Sequence, residues 1–259
     1  MILVGLRNIG HGTLRFVEIL GDMANFGGAI LRSLVKPPFR FRALVEEMYK
    51  QGVLSLSIVC ISGFTVGMVL ALQGYNTLVR FGATGSLGAV VGLSLVRELG
   101  PVLSGLLSTG RAGSATTAEI ATMKVTEQLD GLRMMSADPV HVIVVPRALA
   151  LALSMPILSA MFTLCGMAGG LLVAVVFLGG DSGTYISSLE TSINFHSDVL
   201  SSLVKASAFG VLLALISTYL GFVSKRSAAG VSAATTATVV ATSVSILIFD
   251  YIITALMGV

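Results

Sequence analysis

Charge is what this sequence has least of. Of 259 residues only 11% are Asp, Glu, Lys or Arg, less than half of the ~25% that a soluble domain carries. That shortage excludes an ordinary water-facing surface. There is no Trp, and only two cysteines and three histidines. Cys60 and Cys165 both lie in apolar runs, which argues against a disulfide framework. His11, His141 and His196 are scattered without metal-ligand spacing. None of the five lysines (Lys36, Lys50, Lys124, Lys205 and Lys225) follows a glycine, so the phosphate-cradling G-x-x-x-x-G-K-[ST] loop is absent. If ATP drives this protein, another polypeptide hydrolyses it. The small excess of positive charge, +3, matters less than where it sits, and nothing in it points to nucleic acid.

What is abundant is apolar length. Hydrophobic residues make up 54% of the chain and mean hydropathy is +0.93, the profile of an all-α, polytopic membrane helix bundle. A crossing helix needs roughly 20 mostly apolar residues. Five runs qualify: Gly52 to Val79, Gly85 to Gly110, Ala148 to Gly180, Val199 to Val223, and Thr235 to Val259. The third carries Pro156 and the patch CGMAGG, which predict a kink. The pairs Gly63/Gly67, Gly88/Gly92 and Gly166/Gly170 predict close helix approach. No polar stretch is long enough for a separate soluble core, so residues 1–259 read as one domain: an N-terminal region over 1–51 and a transmembrane region over 52–259.

Basic residues set the orientation, because cytoplasmic loops are enriched in Lys and Arg. Arg7, Arg15, Arg32, Lys36, Arg40, Arg42 and Lys50 precede the first run. Arg111, Lys124, Arg133 and Arg147 lie between the second and third, and Lys225 and Arg226 between the fourth and fifth. The outer loops hold only Arg80 and the acidic stretch Asp181 to Asp198. This predicts a cytoplasmic N-terminus and a C-terminus outside. Residues 1 to about 34 have no compact apolar run ahead of a small-residue cleavage site, which argues against a cleaved signal peptide. They are also too charged to cross. Leu3, Leu6, Leu14, Val17 and Leu20 share one face, apart from Arg7, Arg15, Glu18 and Asp22, so the expectation is a helix lying in the inner interface, broken by the double proline in LVKPPFRFR.

Four charges fall inside apolar runs: Arg97, Glu98, Lys205 and Asp250. Each costs roughly 2.5–3.5 kcal/mol at the bilayer centre on insertion scales. Adjacent helical residues do not face each other, so Arg97 and Glu98 do not neutralise one another by default. Pro101 removes the backbone bond to the Arg97 carbonyl, which weakens the helix at the charges. Broken helices at membrane depth are tolerated where they line a cavity. An apolar cavity bearing an arginine fork suits an amphiphile with a phosphate head. Two structural alternatives stand beside this reading: ion pairs that fix helix register, and end residues such as Lys205 snorkelling to the interface. The polar segment Arg111 to Pro139 predicts a helix from about Ser114 to Met135, broken at Gly131. It is either a docking element for a cytosolic partner or a loop folded onto the bundle.

The blocks LVRELGPV, GRAGSATTAEIATMKVTEQLDGLRMMSADP and VVPR, with VLSLSIVCISGFTVGMVLALQGY ahead of them, resemble the permeases of the bacterial Mla (maintenance of lipid asymmetry) ABC transporters, also called MCE-associated permeases. The similarity runs over essentially the whole chain. It implies a homodimeric, non-catalytic permease in the inner membrane of a Gram-negative bacterium. The dimer would sit on a cytosolic ABC ATPase dimer with a small STAS-like subunit, under a periplasmic MCE-domain hexamer. It implies phospholipid as substrate and ATP used only by the partner, with no cofactor on this chain. Carried over by position, the lipid cavity would include Leu70, Tyr75, Leu78, Arg97, Glu98, Leu99 and Val102. A coupling helix between spans two and three would meet the ATPase near Glu127, Gln128, Leu129 and Asp130. Two competing readings are an ion-driven transporter using Glu98 and Asp250 as proton sites, and a structural anchor without transport.

Overall fold

A computed structural model describes the backbone of residues 2–34, 37 and 40–257, with side chains described for residue 14 and from residue 17 onward within that set. Among the described residues there are helices and connecting turns and no strand. We number the helices α1 (Ile2–Leu34), α2 (Phe41–Phe81), α3 (Thr84–Val125), α4 (Gln128–Met134), α5 (Val140–Phe177), α6 (Ser182–Ser192), α7 (Phe195–Val223) and α8 (Ala228–Met257). The five long ones, α2, α3, α5, α7 and α8, are long and apolar enough to cross a membrane, as the hydropathy runs predict.

The helices outreach the apolar runs, because a helix needs only satisfied backbone bonds and continues where the sequence turns polar. The largest difference is in α3, which does not stop at Gly110 but runs on through SATTAEIATMK to Val125. The expected break at Gly131 is not there. It falls at Glu127, which adopts a left-handed φ of 59° between α3 and α4, and Gly131 lies inside α4. Pro156 sits within an unbroken helix. α1 is helical as expected. Leu14, Val17 and Leu20 are exposed, whereas the side chains of Leu3, Leu6, Arg7, His11 and Arg15 and the whole of Lys36 and Pro38 lie outside the described residues.

The bundle is built on α2 against α5. A Cβ on Gly63 would strike the Phe162 carbonyl, one on Gly67 the Gly166 carbonyl, and one on Gly169 the Phe64 carbonyl. The two backbones touch, as small residues permit in lipid. Val59, Ala71, Val91, Leu95, Leu158 and Phe162 close a core around this seam. Gly88 and Gly92 let α3 approach α6 at Tyr185, Leu189 and Ile193 in the same way. A second cluster, Ala112, Leu151, Met155 and Leu213, joins α3, α5 and α7. α8 is the most exposed crossing helix. It buries Gly230, Ala234, Thr238, Thr242 and Ile246 at every fourth position and leaves Val240, Val244, Leu247 and Tyr251 outside.

The connections after α2 and before α6 are sharply capped. Gly82, at φ 66°, ends α2 and donates to the Val79 carbonyl at 3.2 Å. Asp181 starts α6 by accepting from the Thr184 amide at 2.8 Å and its hydroxyl at 3.0 Å. Those bonds hold its carboxyl below the usual range. Burial of Tyr185 one turn later pushes its phenol up to about 12.

Candidate functional site

The four intramembrane charges come together where α3 meets α7 and α8. Pro101 has no N–H to offer the Arg97 carbonyl. The turn ahead of it widens, so that the Gly100 amide donates to the Leu95 carbonyl, five residues back. The Arg97 carbonyl instead accepts from Lys205 Nζ at 2.9 Å. That ammonium also donates to Glu98 Oε1 at 2.9 Å and lies 3.7 Å from Asp250 Oδ1. Its side chain is 3% exposed, so Lys205 does not snorkel. It is the hub that joins α3, α7 and α8.

Arg97 turns the other way, as its position next to Glu98 on a helix requires. Its Nε and Nη2 donate to Asp198 Oδ1 at 2.9 and 2.8 Å. Asp198 is sealed, at 1% side-chain exposure, and its other oxygen accepts from the Asn194 amide at 2.8 Å. Thr254 donates to Glu98 Oε1 at 3.3 Å, and Asp250 Oδ1 is buried without a hydrogen-bond partner. Two cations thus hold three carboxylates. Arg97 and Glu98 remain 38% and 41% exposed, so they are anchored on one side and open on the other.

A second network joins α2, α3 and α5 at the other end of the bundle. Arg147, with 9% side-chain exposure, reaches Glu119 Oε2 at 3.1 Å and Glu47 Oε1 at 3.3 Å and donates to the Ile143 carbonyl at 3.3 Å. Gln51 donates to the second oxygen of Glu47 at 3.2 Å. Arg111 ties α3 to α2 through the Lys50 carbonyl at 3.1 Å and Ser55 Oγ at 2.6 Å. Below it, α4 is pinned by Leu129, buried with Ile120 and Ile143, and by Asp130, which bonds Arg133 at 3.1 Å and Arg226 at 2.6 Å. Among the described residues no group of three His, Cys, Asp or Glu side chains could hold a metal ion.

The family model described as Permease MlaE matches residues 44–256, a stretch that holds both charge networks and α4. This chain belongs to the MlaE permease family. Three relatives give the match its breadth. The Haemophilus influenzae protein described as intermembrane phospholipid transport system permease protein MlaE is 44% identical over 260 residues, covering 99% of this chain and 98% of that one. A probable ABC transporter permease protein of Rickettsia felis is 42% identical over the same shares. Arabidopsis thaliana has the chloroplastic protein TRIGALACTOSYLDIACYLGLYCEROL 1, 31% identical over 88% of this chain and 65% of the plant one. The chain is thus a multi-pass membrane protein and the permease component of an ABC transporter.

Within this permease the residues expected at the lipid cavity divide into two groups. Leu70, Tyr75, Leu78 and Leu99 rest half-buried on one apolar cluster. Arg97 and Glu98 point instead at α7 and α8, and Val102 is half-buried one turn further along α3. None of the seven lines the cavity of about 490 Å³ between α5, α6 and α7. Of the four expected at the coupling contact, Glu127 and Gln128 are exposed, Leu129 faces inward and Asp130 is tied to the α7–α8 link. The exposed apolar side chains beside them are Met134 and Met135, at 88% and 72%. Sequence reasoning passed over Asp198, Thr254, Glu47 and Glu119. For Asp198 a signal existed: an acid one residue before the apolar run of span four, ready to pair with the arginine in span two.

Proposed function

We propose that this permease moves phospholipid between the inner membrane of a Gram-negative bacterium and a periplasmic MCE-domain protein, and so maintains outer-membrane lipid asymmetry. The single observation that carries the reading is the half-open Arg97–Glu98 step, held from behind by Asp198 and Lys205. A guanidinium presented at membrane depth beside apolar side chains suits a phosphate head with its acyl chains. Phospholipid transport in the name of the Haemophilus influenzae relative supports the same substrate class.

The rest of the machine follows from the family. Two copies pair across a shared cavity, with α8 and its outward apolar face as one candidate wall. A separate ATPase dimer, with its STAS-like subunit, binds below α4, where Glu127, Gln128, Met134 and Met135 form the contact. The N-terminus is cytoplasmic, the C-terminus is periplasmic, and α1 lies in the inner interface. ATP binding closes the ATPase dimer, α4 passes the movement to α3, and the cavity changes shape around the lipid.

Reconstitution tests this. Vesicles containing the permease with its ATPase and MCE protein should release fluorescent phospholipid to the MCE protein only with ATP. Release driven by a proton gradient without ATP would favour the ion-coupled reading. No release at all, from an intact complex, would favour the anchor.

A further inference from the structure

A cavity between α5, α6 and α7, lined also by Val96 of α3, has a different chemistry from the Arg97–Glu98 step. Val96 forms its floor, Pro156 to Met167 of α5 one wall, and Leu189, Glu190 and the start of α7 the other. Its volume is about 490 Å³. From Pro156 to Met167 the α5 wall advances by about 16 Å at 1.5 Å per residue, close to half of the ~30 Å hydrocarbon core. Its lining is mostly apolar, and the Thr163 hydroxyl is turned back to the Ser159 carbonyl within its own helix at 3.0 Å. Leu164, Leu203 and Phe195 are exposed along it. The groove therefore has the length and apolar lining for one acyl chain of one leaflet.

One charge marks its wall. Glu190 is exposed and has no hydrogen bond or ion pair among the described residues. The segment from Asp181 to Asp198 contains no Lys or Arg. An unpaired carboxylate beside an acyl-sized groove selects a cation at the head of the amphiphile and repels a head with net negative charge. We propose that this groove is a lipid site separate from the Arg97–Glu98 step, holding one acyl chain of an aminophospholipid with its primary ammonium on the Glu190 carboxylate.

The test uses the full-length chain in vesicles of equal phosphatidylethanolamine and phosphatidylglycerol, with a trace of either lipid carrying a photoreactive acyl chain. Peptide mapping should find label on Leu164, Met167 and Leu203, with the ethanolamine lipid labelling about five-fold more than the glycerol lipid, the size of one partly exposed charge pair. Glu190→Gln should bring the two to parity, and Glu190→Lys should reverse them. Because Glu190 is exposed, the Gln variant keeps the fold, and it decides the matter if the Lys variant does not accumulate. Equal labelling in the unaltered protein, or a preference that survives Glu190→Gln, overturns the proposal. So does a crosslink in the assembled complex joining these residues to another polypeptide's helix in place of lipid.

Discussion

The two charge networks of this permease use the same parts, a sealed cation and a half-open acid in each, and differ in how open their arginines are. Where α2, α3 and α5 meet, Arg147 sits between Glu119 and Glu47 with 9% of its side chain exposed. At membrane depth Arg97 and Glu98 are gripped by Asp198 and Lys205, yet each keeps more than a third of its side chain exposed. A charge enclosed by partners fixes helices in place. A charge held from one side and open on the other is available to something that is not part of the chain. The difference is made by the neighbours: three helices converge on each network, but α8, one of the three around Glu98, is the least enclosed of the five crossing helices.

Removing Arg147 should break the contrast most severely. Arg147→Met leaves the buried Glu47 with only the half-exposed Lys50 Nζ, 3.6 Å away, as a cation, and losing one partner of a buried pair costs about 3–5 kcal/mol. We expect a large drop in the thermal unfolding midpoint of the detergent-solubilised protein and poor assembly with the ATPase. Lys205→Met should cost less, about 1–3 kcal/mol, because Glu98 can turn to solvent or lipid head while only Asp250 and the Arg97 carbonyl stay behind. The same melting assay ranks the two.

Glu98→Gln separates stability from activity. With 41% of the side chain exposed, its melting midpoint should move by no more than about 1 kcal/mol, while ATP-dependent lipid release falls severalfold. A variant that loses stability and release together would make Glu98 another Arg147. Asp130→Asn probes the exposed contacts to Arg133 and Arg226, worth about 0–1 kcal/mol. Its effect should appear as weaker ATPase binding in a pull-down, with the fold intact.

The smallest effect is at Asp181, whose folded-state carboxyl is held below its ordinary value of 3.8. A lowered acid stabilises fully above its unfolded value and loses that contribution as pH falls through the lower folded one. Cap-dependent protection of the α6 amides in hydrogen exchange should therefore hold at pH 6 and fade below pH 3.8. Asp181→Ala should abolish that dependence.

Much of this was legible without coordinates. The hydropathy runs found all five crossing helices, since membrane insertion reads apolar length directly. The glycine pairs marked the α2–α5 seam because only a missing Cβ allows such an approach. Pro101 and the Arg97–Glu98 step marked the weak point of α3. The partners were not legible. Asp198 is 101 residues from Arg97, and no local spacing links them. Gly131 looked like the helix break because glycine is the usual one, yet Leu129 and Asp130, just before it in α4, are fastened to the bundle, and the break falls at Glu127. The seven lipid-cavity residues were placed by resemblance, and only some of them share a surface in the single chain.

Composition and order alone determined that this chain is a membrane bundle, where it crosses, that it lacks its own phosphate-binding loop, and which side chains are too costly to be idle in lipid. These follow from transfer free energies and backbone sterics, which act residue by residue. Tertiary structure decided which charge is locked and which is open, because exposure depends on how closely the converging helices enclose a point. It also decided that a carbonyl stripped of its donor by Pro101 is answered by an ammonium from a helix a hundred residues away.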